Sequence, residues 1–482
     1  MDYSLMFIGI SSWIYTILAI GYAVTILSCI IIILSENRNP IKSLAWVTVL
    51  IFLPVVGLIF YIFFGRDLKG THIQLKHSKR TLKQKLGGQE VNLTETNLKE
   101  ANKQIIKLAD TTGNPMLSTG NAIEIFTSGE EKFEALKKDL RAAQHYICLQ
   151  YYIFTDDKIG HEIADILIDR ARHGVKVLVI YDHVGSFSVK NNFFRRLRRE
   201  GIDAQPFLKV TFPQLANRLN WRNHRKIVII DSKVGYIGGM NIADRYVAGD
   251  KGNKAWRDTH FRVKGSVINS LLFSFISDWS YMKRPLIEQA NFHVAEPLET
   301  DLDIQLITSG PDGRWPNIAM AYQKAISGAR KSIYIQTPYF LPTDALLKAL
   351  QAAALAKVDV RIMMPRRSDS SLLNYASFSY ITQCLKAGIK IYLYEDRMIH
   401  SKVMIIDDDL VTTGSANFDF RSFEHNFEVN MFVFGESFNR AMRDIFFNDV
   451  KHCTKLTFKR WHKRPLTQKA LESLLRLVSP IL

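Results

Sequence analysis

One short motif occurs twice in this sequence, and its duplication constrains the fold more than any other feature. The motif consists of a histidine, a lysine two positions later, four apolar residues and an aspartate. Its two copies are His224, Lys226 and Asp231, and His400, Lys402 and Asp407. Each copy is followed at the same distance by an asparagine, Asn241 or Asn417. Chance would produce one such motif only roughly a few times in a hundred chains of this size, so two copies indicate a repeat.

The repeat extends beyond the motif. The segment at 125–129 has the sequence IFTSG and recurs as LITSG at 306–310. In each half, a helical pattern, an apolar strand, a second helix and a further strand follow. Alternating strands and helices are typical of α/β domains with mainly parallel strands. The sequence therefore predicts two α/β domains of one fold, at 121–298 and 299–450, which meet with pseudo-twofold symmetry.

The spacing within each motif brings its histidine and its lysine to one place. Because alternate side chains of a strand share a face, the two point the same way. The four residues between lysine and aspartate are apolar, as in a buried central strand, so the polar pair lies at the strand end. Two such pairs, joined by Asn241 and Asn417, would form a cationic cradle for the oxygens of a phosphodiester.

These residue types predict a reaction that proceeds through a phosphohistidine. One imidazole can attack phosphorus, while the other protonates the leaving alkoxide and then accepts a proton from the incoming alcohol. Lys226, Lys402 and the two asparagines would neutralise the charge on phosphorus. A metal centre is a poor alternative, because lysine repels cations and no carboxylate cluster accompanies the histidines. We therefore expect neither a metal ion nor another cofactor, and the duplication argues against ordinary core histidines.

Four carboxylates accompany the motifs. We group Asp231 and Asp407 with the catalytic residues in a supporting role, in which they satisfy turn amides or a buried base. Asp258 and Glu428 follow in strand-like segments and are candidates to orient the histidines, because a nucleophilic imidazole needs a carboxylate that fixes its tautomer. An ordinary salt bridge within the strand is an equal alternative for either of these two residues.

Two uncharged segments precede the repeats. Residues 3–35 and 43–65 contain no charged side chain, and each exceeds the roughly 20 apolar residues that cross a bilayer core. We expect a transmembrane helical hairpin over 1–68, with spans at about 6–34 and 44–64. A cleaved signal peptide is disfavoured, because the start lacks a basic region and a second span follows. The lysine-rich segment after the second span predicts cytoplasmic domains, although the basic loop between the spans argues the other way.

The chain is basic, with a formal net charge of +17. A nucleic acid or an anionic membrane surface would both match this charge. Residues 69–120 are polar and lysine-rich and predict a linker. The tail at 451–482 is basic with helical apolar spacing, which favours an amphipathic helix on a membrane, although the helix could instead dock on the core. A basic cluster beside two phenylalanines at 193–199 suits anionic headgroups or simple solvation.

The paired motifs resemble those of the phospholipase D superfamily, whose members build one active site from two such repeats. The resemblance covers residues 121–449. Flanking segments are similar to those of bacterial cardiolipin synthases: the double apolar run that ends in FFGR, Gly238–Asp244, Trp256–Asp258, Asn417–Phe423 and the C-terminal KRPL. The resemblance implies two tandem phospholipase-D-like domains behind a multi-pass anchor in the cell membrane.

The resemblance also implies a reaction. One phosphatidylglycerol would give its phosphatidyl group to a histidine and release glycerol, and a second would accept the group to form cardiolipin. The family usually places the nucleophile in the first motif, which makes His224 the nucleophile and His400 the general acid and base, although pseudo-symmetry allows the reverse. The implied phosphate-binding residues are Asn241, Ser415 and Asn417. Gly239 stands where many members carry serine, so the first half would supply one donor fewer.

Other functions share this chemistry. A lipid hydrolase would use water as the acceptor, another phosphatidyltransferase would use a different alcohol, and a nuclease would cleave DNA. The expected anchor disfavours the nuclease, so we expect no nucleic acid partner. The two intact sets of histidine, lysine and asparagine disfavour a non-catalytic scaffold that only binds anionic lipid. The acceptor depends on pocket shape and on the exclusion of water, which the sequence leaves open together with the oligomeric state.

Overall fold

A computed structural model describes residues 3–35, 40–61, 86, 92–210, 220–249, 252–282 and 292–479. By its internal contacts the chain divides into two compact units, residues 1–68 with 210–220, and residues 69–209 with 221–482. The lysine-rich segment on which the expected membrane orientation rests lies outside the described residues. The FFGR sequence and most of the expected linker before residue 92 lie outside them as well.

The first unit contains three apolar helices. They are α1 (Tyr3–Ser35), α2 (Pro40–Phe52) and α3 (Pro54–Phe60). No charged side chain interrupts α1, and its segment Trp13–Ser35 is long and apolar enough to cross a membrane. Ile33, Leu50 and Tyr61 are buried together and pack α1 against the segment of α2 and α3.

The second expected span is not one continuous helix. Helix α2 ends at Phe52 and α3 begins at Pro54. Proline has no N–H to donate, and its ring clashes with the carbonyl group four residues earlier, which breaks a helix. Leu53 accordingly leaves the helical region, with φ −128° and ψ 67°. Among the described residues, α1 is therefore the one helix that meets the length and composition of a membrane span.

The first half of the second unit forms a seven-stranded sheet. Its strands are β1 (Asn121–Phe126), β2 (Tyr146–Tyr151), β3 (Lys176–Asp182), β4 (Asp203–Phe207), β5 (Ile227–Ile230), β6 (Val234–Gly238) and β7 (His260–Gly265). Their order is β1-β7-β6-β5-β2-β3-β4. Strands β2, β3 and β4 are parallel, and the remaining neighbours are antiparallel.

The second half forms an eight-stranded sheet. Its strands are β8 (Asp303–Ser309), β9 (Ser332–Gln336), β11 (Asp359–Pro365), β12 (Lys390–Tyr394), β13 (Val403–Ile406), β14 (Leu410–Gly414), β16 (Glu428–Phe434) and β17 (Cys453–Lys455). A separate short pair joins β10 (Phe340–Leu341) and β15 (Phe418–Asp419). The order of the main sheet is β8-β16-β14-β13-β9-β11-β12-β17.

The second sheet repeats the first strand for strand and adds β17 at one edge. The predicted pair of α/β domains is therefore confirmed. The expectation of mainly parallel strands is wrong, because only three strands of the first sheet run parallel to a neighbour. The motif strands β5 and β13 are joined to the next strand by short turns, and such turns connect antiparallel neighbours.

Helices surround and separate the two sheets. They are α4 (Glu100–Thr111), α5 (Gly129–Arg141), α6 (Lys158–Arg172), α7 (Asn191–Arg199), α8 (Val267–Tyr281), α9 (Asn317–Gly328), α10 (Asp344–Leu355), α11 (Ser371–Phe378), α12 (Ile381–Lys386), α13 (Phe420–Glu424), α14 (Glu436–Val450), α15 (Phe458–His462) and α16 (Leu466–Val478). Helix α8 contacts β5, β6 and β7 of one sheet and β8 of the other. Phe438 of α14 packs on Phe261 of β7. One hydrophobic core therefore continues from one half into the other, with about 1.5–3 kcal/mol gained for each large apolar side chain that is fully buried.

The segments expected as linker and tail contain helices that pack on the second half. Helix α4 contacts α9 and β8, and α16 contacts α11. Arg464 pairs with Glu472 at 2.7 Å and fixes the start of α16. Leu466, Leu474 and Leu477 of α16 remain exposed. The tail therefore docks on the core and still presents apolar side chains outward.

Candidate active site

Each motif is paired through its backbone with the other half of the unit. The amide of His224 donates to the carbonyl oxygen of Phe427 at 2.9 Å, and the amide of His400 donates to that of Arg257 at 2.7 Å. Isolated parallel bridges between the same segments continue this pairing. The residue that follows each of these carbonyl groups is a carboxylate. Each carboxylate therefore lies next to the motif histidine of the opposite half.

The two carboxylates hold the imidazoles at Nδ1. Nδ1 of His224 lies 2.9 and 3.0 Å from the two carboxylate oxygens of Glu428. Nδ1 of His400 lies 2.7 Å from Oδ2 of Asp258. A carboxylate at Nδ1 favours the tautomer that carries its proton there and leaves Nε2 as the basic nitrogen. The structure brings these four predicted residues together in an arrangement exchanged between the halves.

The first pair combines a neutral imidazole with an ionised carboxylate. Burial lowers the pKa of His224 to about 4, although Glu428 opposes the shift. Burial alone would raise the pKa of Glu428, but His224, Lys226 and the Ser415 hydroxyl outweigh it and lower that pKa to about 2. Lys226 is fully buried and donates to the carbonyl oxygen of its own motif histidine. His224 is therefore a neutral base before any substrate enters.

The second pair holds a weaker acid. Burial raises the pKa of Asp258 to about 6, although Lys402 opposes the shift. Burial and the neighbouring Lys402 ammonium lower the pKa of His400 well below its ordinary value. Nζ of Lys402 lies 2.9 Å from Nδ1 and 3.2 Å from Nε2 of His400. Burial lowers the pKa of Lys402 itself to about 8. An arriving anion would relieve this crowding of cations.

A glycine in one half and a serine in the other explain the difference between the pairs. Ser415 is fully buried, and its hydroxyl donates to Oε2 of Glu428 at 2.5 Å. In the first half, a methyl group at Gly239 would lie 2.2 Å from Oδ1 of Asp258. The Asp258 carboxylate therefore occupies the space that a side chain at Gly239 would need. The Ser415 hydroxyl donates to Glu428, and its predicted contact with phosphate stays a prediction.

The two motif asparagines both line the cavity next to the histidines. Asn241 donates through Nδ2 to the hydroxyl of Tyr246 at 3.2 Å and accepts from the amide of Ile153. Asn417 donates through Nδ2 to Asp419 at 3.0 Å. Its side-chain oxygen is buried and has no hydrogen-bond partner among the described residues. The structure therefore brings both asparagines to the cavity of the histidines, and their contact with phosphate stays a prediction.

The motif aspartates lie at the far ends of their strands, away from the histidines. Asp231 accepts hydrogen bonds from the backbone amides of residues 144, 145 and 146 at 2.8–2.9 Å. Asp407 likewise accepts from the amides of residues 330, 331 and 332. Both have a left-handed backbone, with φ 52° and 49°. The structure therefore does not bring them to the cavity, and their contacts are of the turn-amide kind expected for a supporting role.

A cavity of about 330 Å³ joins the two histidines. Most of the other residues that line the cavity were not predicted from the sequence. They include Tyr152, Arg222, Arg245, Tyr246, Tyr339, Asp369 and Arg421. Tyr152 contacts the His224 ring at 4.9 Å between centroids, and Trp256 contacts the His400 ring at 5.3 Å. The two lysines are not among the residues that line the cavity, and each donates to the carbonyl oxygen of its own motif histidine.

No group of three or more histidine, cysteine or acidic side chains in the described part of the chain has the geometry to hold a metal ion. The cavity wall presents imidazoles, amides, phenols and arginines beside the carboxylates of Asp369 and Asp419. Its many hydrogen-bond donors suit a phosphate anion. The arrangement can therefore bind an anion between two basic nitrogens.

Comparison with protein families and known proteins agrees with this geometry. A family model described as cardiolipin synthase, PLD-like domain, matches residues 136–259 and 322–450. A second, described as phospholipase D-nuclease N-terminal, matches residues 23–66. Cardiolipin synthase 2 of Bacillus anthracis is 39% identical over 462 residues, which cover 95% of this chain and 90% of that protein. The major cardiolipin synthase of Bacillus subtilis is 37% identical over 476 residues, which cover 97% and 99%.

A solved structure shares the fold. The crystal structure of phosphatidylserine synthase from Haemophilus influenzae matches with a TM-score of 0.60 and 15% identity, over 79% of this chain and 100% of that one. The duplicated sheets and the composite site define a phospholipase D-like enzyme. Within that class, the chain belongs to the cardiolipin synthase family, and it is a phosphatidyltransferase.

The space beside Gly239 allows a test of the second carboxylate. The change Gly239→Ala places a methyl group against Asp258 and forces that carboxylate away from His400. We expect the turnover rate to fall about tenfold or more, since a loss of roughly 1.4 kcal/mol in transition-state stabilisation has that effect. Steady-state phosphatidyl transfer measures it.

Arg314→Gln is the control, because its guanidinium stacks on Trp315 and lines no part of the cavity. A Gly239→Ala rate equal to that of Arg314→Gln would contradict the assigned role of Asp258.

Proposed function

We propose that this chain joins two molecules of phosphatidylglycerol into cardiolipin and releases glycerol. The observation that carries the proposal is the pair of imidazoles, each held at Nδ1 by a carboxylate of the opposite domain and both open to one cavity. Two basic nitrogens that face one phosphate can divide a transfer into two in-line steps. The names of the full-length relatives support cardiolipin as the product.

In the first step, Nε2 of His224 attacks the phosphorus of the donor lipid. A phosphorus–nitrogen bond forms, and the bond from phosphorus to the glycerol oxygen breaks. His400 gives its proton to that oxygen, and glycerol leaves. The phosphodiester anion and ionised Asp258 favour the protonated form of His400 while the substrate is bound.

In the second step, a hydroxyl group of the acceptor phosphatidylglycerol attacks the same phosphorus. Its proton passes to His400, the phosphorus–nitrogen bond breaks, and cardiolipin leaves. Asn241 and Asn417 contact the oxygens of phosphorus, while Lys226 and Lys402 supply positive charge next to the histidines. Asp231 and Asp407 support the site by anchoring the ends of the motif strands.

The two carboxylates, Glu428 and Asp258, differ in acidity, and this difference favours His224 as the nucleophile. A phosphorylated imidazole is cationic and is stabilised best by a carboxylate that stays ionised. Glu428 is such a group, because Ser415 and Lys226 help to hold its pKa low against the effect of burial. Asp258, with its raised pKa, suits a histidine that gains and loses a proton within each cycle.

The proposed membrane arrangement places the catalytic domains on the cytoplasmic face. Helix α1 would form one crossing, and the proline-broken segment of α2 and α3 a second, kinked one, since membrane helices tolerate such breaks. The division into an anchor at 1–68, a linker at 69–120, domains at 121–298 and 299–450, and a tail at 451–482 belongs to this proposal. The exposed leucines of α16 support contact of that tail with an anionic membrane surface.

The product distinguishes this proposal from its rivals. We expect purified protein in detergent, incubated with labelled phosphatidylglycerol and no added metal, to form cardiolipin and glycerol in equal amounts. His224→Ala should abolish both, because the variant has no nucleophile at that position. Chromatography of the lipids and assay of released glycerol measure the products.

Arg314→Gln serves as a control, since Arg314 lines no part of the cavity. Phosphatidic acid as the sole lipid product would show that the protein is a lipid hydrolase and not a cardiolipin synthase. An unchanged rate for His224→Ala would contradict a phosphohistidine intermediate at His224.

The site also predicts a bell-shaped dependence of kcat/KM on pH. The rate should rise as pH increases through about 6, because Asp258 must ionise to hold His400. It should fall above about 8, because Lys402 then loses its charge. In Lys402→Arg the alkaline limb should disappear from the remaining activity, since guanidinium stays charged. An alkaline limb that is unchanged in this variant would contradict the assignment to Lys402.

A further inference from the structure

Two arginines of the cavity wall have no part in the transfer steps described above. Arg245 lies four positions after Asn241, and Arg421 lies four positions after Asn417. The two arginines are therefore equivalent positions of the repeat, and both line the cavity that contains the histidines. Two equivalent arginines beside the site for one phosphate indicate that the cavity can bind a second anionic group.

Neither guanidinium lies within salt-bridge distance of a carboxylate in the described part of the chain. Arg222, which lines the same cavity, differs because it pairs with Asp182 at 3.2 Å. The acids of the cavity wall have other hydrogen-bond donors: Asp369 accepts from the Tyr339 hydroxyl at 2.6 Å, and Asp419 accepts from the Asn417 amide at 3.0 Å. Charged groups at a cavity wall without a counter-ion are available to a charged ligand.

The two arginines lie on opposite sides of the cradle. The guanidinium of Arg245 stacks on Trp256, 5.0 Å from the ring centroid, and Trp256 contacts the His400 ring at 5.3 Å. On the other side, the carbonyl oxygen of Arg421 accepts from the amide of Asn426 at 3.0 Å, next to Phe427, whose carbonyl oxygen accepts from the His224 amide. The charge of Arg421 also opposes the rise that burial causes in the pKa of Tyr152. Tyr152 contacts the His224 ring at 4.9 Å. Arg245 thus belongs to the side of His400, and Arg421 to the side of His224.

In-line geometry assigns these sides to different substrates. When phosphorus is bonded to His224, the attacking hydroxyl must approach from the opposite side, which is the side of the general base His400. The acceptor molecule therefore lies next to Arg245. A phosphatidylglycerol acceptor differs from water or free glycerol because it carries its own phosphodiester anion, joined to the attacking hydroxyl by a three-carbon glycerol.

We propose that Arg245 binds the phosphate of the acceptor phospholipid and so selects a phospholipid over small alcohols in the second step. The proposal rests on the proposed function and adds the specificity-determining residue for its acceptor. Stacking on Trp256 holds the planar guanidinium in place, which suits bidentate contact with a phosphodiester. Cardiolipin then leaves with one phosphate in the cradle and the other beside Arg245.

Two reactions of the same phosphatidyl-enzyme test this assignment. Cardiolipin formation uses an acceptor with a phosphate, whereas exchange of labelled glycerol into phosphatidylglycerol uses an acceptor without one. In Arg245→Gln we expect kcat/KM for cardiolipin formation to fall about 10- to 100-fold, the range for a lost charge-assisted hydrogen bond. Glycerol exchange should stay within about twofold of the unchanged protein.

Two further variants serve as comparators. Arg314→Gln removes a guanidinium that stacks on Trp315 at 5.1 Å but lines no part of the cavity, so both reactions should keep their rates. Arg421→Gln removes the equivalent cation on the side of His224, and it should not change the ratio of the two reactions.

The outcomes separate the proposals. Loss of cardiolipin formation with retained glycerol exchange in Arg245→Gln supports the assignment. An equal loss of both reactions in Arg245→Gln would contradict the assignment and indicate a structural role for Arg245. A loss of cardiolipin formation alone in Arg421→Gln would place the acceptor on the side of His224. Glycerol exchange without cardiolipin in the unchanged protein would overturn the proposed function itself, before any variant is compared.

Discussion

The backbone pairing between the two halves is the constraint on which the site depends. Because the amides of His224 and His400 bond to the carbonyl groups just before Glu428 and Asp258, each imidazole receives its carboxylate from the other half. Neither half alone contains a complete pair of histidine and carboxylate. The shared core around α8 and α14 keeps the sheets in register, so packing energy far from the cavity fixes distances within it.

The buried lysines and histidines of the cradle suit an anion. Two lysines, two imidazoles and two carboxylates are buried together, and burial pulls the pKa of both lysines down. A bound phosphodiester adds a negative charge, which favours the charged forms of these lysines and imidazoles. The halves are not identical, because Gly239 makes room for Asp258 whereas Ser415 donates to Glu428. A symmetric duplication has thus acquired two carboxylates of different acidity.

Much of this architecture could be predicted from spacing alone. The period-two alternation of strands predicts that the histidine and the lysine of each motif share a face, and the duplication predicts that two such pairs meet. The exchange of Glu428 and Asp258 could not be predicted, because it depends on how the two halves pack and not on any periodicity within a strand. The expectation of mainly parallel strands was wrong because the short turns after β5 and β13 join antiparallel neighbours. Ser415 was assigned to phosphate because its motif position gave no sign that Glu428 would take its hydroxyl.

The central claim is that the phosphatidyl group passes through a covalent bond to the nitrogen of one particular histidine. Rapid quenching of the protein during turnover with phosphatidylglycerol, digestion under non-acidic conditions and mass spectrometry of the peptides measures this directly. The account predicts a phosphatidyl adduct on the peptide that contains His224 and none on the peptide that contains His400. An adduct confined to His400 would reverse the roles of the two halves, and turnover without any adduct would contradict the two-step transfer.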